Sequence, residues 1–193
     1  MNNNLKIFFL ILLINTLFSC ATNKIKNIKP IIDIEVNTKL NPELIQSRKS
    51  FSGKINNYQY NELKTKLEKE LNTKIPERKI ILVNYRQKAR NCISLSLSSR
   101  NFSKFTNRIV QISSRISADN NTSDYFVYEG NAFYKNLYQE KQNFKLDSGF
   151  FYNNIFTLHE TCDAFIIIKP NGDFLKYYGG DYFSIVRTFL EKE

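Results

Sequence analysis

The run KIILVNY, residues 79–85, restricts the fold more than any other stretch of the chain. Successive side chains of a strand point to opposite faces of its sheet, so a strand that is apolar at consecutive positions has no wet face. Such strands lie inside a sheet covered on both sides. The chain therefore needs layers above and below one sheet, which predicts an α/β fold.

The flanking sequence supplies those layers. Tyr60, Leu63, Leu67 and Leu71 recur at intervals of three and four, the stripe of an amphipathic helix, with Glu62 and Lys66 paired on its wet face. Phe102, Phe105, Ile109, Ile112 and Ile116 repeat that spacing and predict a second helix with Asn101 as its N-cap. Between Cys92 and that helix, ISLSLSSR reads as an irregular first turn or a short extended piece. YFVYEG, residues 125–130, reads as a strand. A loop follows at 131–146. Phe151, Ile155 and Leu158 then mark a third helix capped by Asp147 or Ser148.

DAFIIIKPNGDFLKYYGG predicts a hairpin of strands 163–169 and 173–178. It turns at Pro170-Asn171-Gly172, where proline presets φ and glycine allows it to be positive. Tyr182, Ile185, Val186 and Phe189 stripe a closing helix behind Gly179-Gly180, capped by Asp181. Strands separated by helices pair in parallel through crossovers, and the hairpin adds antiparallel strands. A mixed sheet with helices on both faces is expected.

The amino terminus carries a different signal. MNNNLKIFFLILLINTLFSC has one cation, Lys6, then an apolar run from Ile7 to Ile14, then small or polar residues before Cys20. This is the layout of a secretory signal, and the run is shorter than the roughly 20 residues of a spanning helix. Leu17-Phe18-Ser19-Cys20 resembles a bacterial lipobox. The resemblance implies cleavage after residue 19, acylation of Cys20 and attachment to a membrane of the cell envelope, with the domain facing the periplasm or the exterior. Residues 20–57 read as a tether, with Ile31, Ile32, Ile34 and Val36 available for a short edge strand, and 58–193 as the domain. The net charge of +10 comes from scattered lysines in an Asn-, Lys- and Ile-rich chain, which argues against a nucleic-acid partner. Lys24, Lys26 and Lys29, just behind Cys20, suit anionic head groups.

From residue 58 onward the element order resembles that of the thioredoxin-like proteins. KIILVNY followed by a polar turn with a cysteine is similar to their active-site strand and loop, and FIIIKPNGDFLKYYGG to their terminal hairpin. The resemblance implies a thioredoxin-like mixed sheet with a C-terminal β-hairpin and flanking helices. The chain departs from that family at its chemistry. The loop holds one cysteine, Cys92, with Ala89 where a partner thiol would stand, and Cys162 or Asp163 takes the place of the family's cis-proline.

In that family the loop and the pre-hairpin residue touch, which implies that Cys92 and Cys162 are neighbours. With Cys20 committed to lipid they are the two remaining thiols, in a compartment that permits oxidation. A structural Cys92–Cys162 disulfide is the leading reading. A redox-active pair, with Arg86, Lys88 and Arg90 favouring the Cys92 thiolate, and two buried unpaired thiols stay open. His159, the single histidine, stands three residues before Cys162, so a base for that thiol or a Cys92/His159/Cys162 metal site are the sharper readings of it, and a polar helix-terminal residue the plainer one. Tyr177, Tyr178 and Tyr182 could line a recognition surface, though packing accounts for them more simply. No phosphate loop, Ser/His/Asp spacing or carboxylate pair stands out, and no cofactor is implied. Two functions follow: a non-catalytic, lipid-anchored binding or scaffold domain for an unidentified protein partner, or an atypical thiol-disulfide oxidoreductase using Cys92 and Cys162.

Overall fold

The computed structural model describes residues 32–191. The expected signal at 1–19, the lipidation site Cys20, and Lys24, Lys26, Lys29 and Ile31 lie outside them. Six strands form one mixed sheet: β1 (Lys49–Lys54), β2 (Ile80–Arg86), β3 (Thr122–Tyr128), β4 (Phe144–Leu146), β5 (Asp163–Ile168) and β6 (Asp173–Tyr178), in the order β1-β6-β5-β2-β3-β4. β2 runs parallel to β3 and antiparallel to β5, and β6 is antiparallel to both β5 and β1. The helices are α1 (Pro42–Gln46), α2 (Asn57–Glu70), α3 (Ser99–Asp119), α4 (Lys135–Gln139) and α5 (Tyr182–Leu190).

The apolar run does what its pattern requires. Ile81, Val83 and Tyr85 of β2 enter one core with Ala164, Ile166 and Ile168 of β5, covered by Leu67 and Leu71 of α2. Leu82 points the other way, into a second core with Phe165, Ile167, Ile116 of α3 and Val186 of α5. A third cluster, around Phe102, Tyr138 and Phe144, fills the end of the sheet where the two cysteines lie. Fully burying one such leucine or isoleucine stabilises the fold by about 1.5–3 kcal/mol, so helices on both faces are a requirement of β2.

Several elements differ from expectation. The stretch read as a tether contains α1 and β1. Residues of β1, KSFSGK, are exposed throughout, so no alternation announces a strand. Its stability comes from six paired positions on β6 and from Phe51 set edge-on to Tyr178. The edge strand around Ile32, Ile34 and Val36 does not form: Ile32 and Ile34 are exposed, and only Asn37 bridges, to Asn91. The loop at 131–146 holds α4 and β4.

Asp147 does cap the third helical stretch, accepting from the N–H groups of Gly149, Phe151 and Tyr152 and from the Tyr85 hydroxyl. That stretch is one π-helical turn, Phe151–Ile155, closed by the Phe156 N–H donating to the Phe151 carbonyl, and it ends there. The N-cap of α3 is Ser98, which accepts from the Asn101 N–H, so Asn101 sits inside the first turn. Asp181 occupies the N-cap position of α5, but its carboxylate binds Arg48 and accepts from the Tyr177 hydroxyl instead of capping. Among the described residues no helix is long and apolar enough to cross a membrane.

Candidate functional site

The sheet brings the ends of β2 and β5 side by side, and the chain leaving β2 loops back over the residue that enters β5. Cys92 and Cys162 meet there in a disulfide with 5.2 Å between their Cα atoms and a sequence separation of 70. The backbone around them is fastened on every side. The Cys162 N–H donates to Asn91 O, the Asn91 N–H to Glu160 O, and the Cys92 N–H to Asn37 O. Gln87, 1% exposed, donates its side-chain amide to the carbonyls of Leu158 and Thr161, both at 2.8 Å. A buried glutamine holding two buried carbonyls fixes the loop that presents Cys162, since leaving such groups unpaired costs about 1–3 kcal/mol each.

The bridge itself is sealed. Cys92 is 2% and Cys162 5% exposed, within the cluster that includes Phe102, Phe133 and Tyr138. The hydroxyl of Ser94 lies 3.4 Å from one sulfur and 3.8 Å from the other. It is the donor, because neither bonded sulfur carries a hydrogen.

The three basic residues expected to favour a thiolate are each engaged. Arg86 pairs with Asp163, its cross-strand partner in the β2–β5 register, and both side chains are largely buried. Lys88 pairs with Asp33, and Arg90 with Glu43 at 3.0 Å. Their charges are matched by carboxylates, which weakens the field they would exert on Cys92. Burial lowers the pKa of Arg86 and pushes Tyr138 in the neighbouring wall up to about 12, against the opposing pull of Arg86.

His159 serves the loop. Its ring stacks on Tyr152 at 3.8 Å, and its Nδ1 lies 3.1 Å from Gln87 Oε1. Because the Gln87 amide nitrogen is committed to two carbonyls, its oxygen is the acceptor and Nδ1 of the histidine carries the hydrogen. Burial holds the imidazole below the usual histidine range. In the bonded state the sulfurs offer no thiol proton for His159 to remove and no thiolate to a metal, and no metal-binding cluster occurs among the described residues. The reading of two unpaired thiols is likewise replaced by the bond.

Beside the bridge, on the α3 and α5 side of the sheet, opens a cavity of about 290 Å³. Ile93, Leu97, Phe105 and Phe165 form apolar walls, the Arg86–Asp163 pair and Asn84 a polar floor, and Gly179-Gly180 one lip. Asn84 interrupts the apolar run of β2 and donates to the Ser113 hydroxyl and the Tyr125 carbonyl. Ser113 in turn shares a 2.6 Å hydrogen bond with Tyr182. Tyr177, Tyr178 and Tyr182 are buried; the first two pack the cores, while Tyr182 packs a core and also lines this cavity.

Cys92, Cys162, Arg86 and His159 were all legible as residues of this region. Asn84 was not, although a lone asparagine in a continuous apolar run is the kind of buried polar group that needs partners. Comparison with protein-family models, curated proteins and solved structures returned no match.

Proposed function

We propose that this chain is an exported, lipid-anchored binding domain of thioredoxin-like architecture, in which the Cys92–Cys162 bridge is structural and the adjoining cavity receives part of a partner. The observation that carries this reading is the burial of both sulfurs: an attacking thiolate must reach a sulfur in line with the bond, and neither offers an open approach. The architecture is supported by the parallel β2–β3 pair next to the antiparallel β5–β6 hairpin, with helices on both faces. The anchor is supported by the sequence around Cys20.

Titration of the folded full-length chain against thiol buffers tests the reading. The bridge is expected to resist reduction, with a potential below about −300 mV, and wild type and Cys92→Ser are expected to be equally inert in insulin reduction. Reversible reduction at the potential of known exchange catalysts, with insulin reduction lost in Cys92→Ser, would establish the oxidoreductase instead. Mass analysis of the mature amino terminus, beside a Cys20→Ser variant, checks the anchor separately.

A further inference from the structure

Scattered charge is what the sequence suggests, but α3 gathers part of it. Arg100, Lys104, Arg108 and Arg115 are spaced four, four and seven apart and are all exposed, with exposed Gln111 between the last two. Residues so spaced share one helix face. At 1.5 Å per residue the stripe is about 22 Å long.

Nothing among the described residues accounts for it. None of the four forms an ion pair among the described residues, whereas the wet face of α2 matches Lys66 to Glu62. Arg100 lies in the first turn of α3, where the helix dipole disfavours a cation, and no acidic residue occupies that turn. Arg100, Lys104 and Arg108 stand at successive i,i+4 positions, where like charges repel. The helix would be more stable without this arrangement, and no described residue supplies its complement.

We infer that the Arg100–Lys104–Arg108–Arg115 face of α3 docks on the anionic phospholipid head groups of the membrane that holds the protein. This rests on the proposed anchor for its occupant. The 17 residues from Cys20 to Asn37 reach at most about 60 Å, so an acylated Cys20 keeps the domain beside the bilayer, and tethering turns weak contacts into effectively intramolecular ones. A straight row of cations meets a plane of phosphates along its whole length. Each cation at such a surface strengthens partitioning about fivefold, and four together roughly 600-fold.

The test uses the full chain with Cys20→Ser, so that acylation plays no part, and reads the ratio of binding to phosphatidylcholine vesicles with and without 30% phosphatidylglycerol. The apolar amino terminus contributes to both and cancels. Arg100→Gln/Lys104→Gln/Arg108→Gln/Arg115→Gln is expected to lower the ratio by two orders of magnitude or more at low ionic strength. Lys39→Gln/Lys49→Gln/Lys54→Gln/Lys69→Gln, with the same change in net charge, is expected to leave it nearly intact. Equal losses in the two variants would reduce the effect to net charge and overturn the inference, as would no loss in the first. Tighter, stripe-dependent binding to duplex DNA at equal phosphate concentration would overturn it in favour of nucleic acid. Failure of Cys20 acylation removes the anchor but leaves the vesicle ratio unchanged, so the two ideas fail separately.

Discussion

At the scale of single residues, the loop that carries Cys162 depends on two side chains, Gln87 and His159, whose hydrogen bonds go to the loop and to each other. Gln87 holds it from below through two carbonyls, and His159 closes over it between Tyr152 and Gln87. The histidine gives this loop a pH dependence whose sign follows from its surroundings. Burial holds its pKa below the ordinary value of about 6.5, and Glu129 offsets this only in part. The unfolded chain therefore takes up the proton first as pH falls. Stability that is intact above the ordinary value is lost as pH drops through it towards the folded value. Urea midpoints measured from pH 7.5 to 5.5 should decline, and His159→Gln should flatten that decline. An identical slope in the variant would show that other groups produce it.

Among the elements, the hairpin depends on one backbone conformation. Gly172 has φ +88°, and a Cβ there would lie 2.0 Å from the carbonyl oxygen of Ile55, the residue just after β1. The Ile55 N–H donates to the Gly172 carbonyl at 3.0 Å, so the turn also fastens the end of β1. Gly172→Ala meets both a left-handed backbone and a collision with main chain, and should cost at least about 2 kcal/mol in chemical denaturation. Gly180→Ala, where a Cβ meets nothing within 4 Å, should be nearly neutral. Equal stabilities of the two variants would remove this account of the turn. The hairpin was readable because Pro170-Asn171-Gly172 states its turn chemistry locally. β1 was not: KSFSGK is exposed at every position, and what makes it a strand is an unpaired edge on β6, a property of distant residues. The turn at Phe151–Ile155 was readable as helical and as capped by Asp147 or Ser148, of which the structure uses Asp147. Its π geometry and early end follow from the Phe151–Phe156 bond and from the path onward to Cys162.

For the molecule as a whole, the apolar run of β2 announced a sheet with two covered faces, and the periodic stripes of α2, α3 and α5 supplied the covers. The meeting of Cys92 and Cys162 came from the thioredoxin-like resemblance, because no local pattern relates residues 70 apart. The cavity lay beyond reach for the same reason, since its walls come from the turn after Cys92, from α3 and from β5. The bridge closes a segment that holds α3, β3, α4 and β4. In the chain-entropy model a link of that separation stabilises by about 4 kcal/mol, against a total of roughly 5–15 kcal/mol for an ordinary domain. Cys92→Ala/Cys162→Ala should lose an amount of that order in guanidinium unfolding, and a loss below about 1 kcal/mol would mean that the remaining contacts already confine the unfolded chain.

The Asn37 contacts have a mechanical consequence. The chain enters this region through a main-chain clasp, the Asn37 N–H on Arg90 O at 2.8 Å and the Cys92 N–H on Asn37 O at 3.0 Å. Tension applied to the residues ahead of Asn37 thus reaches this clasp before it reaches β1 at the sheet's edge. One of its two loaded bonds ends on a residue covalently linked to the chain at the head of β5, so a pull from that side is passed to the middle of the sheet and not to its most easily peeled strand.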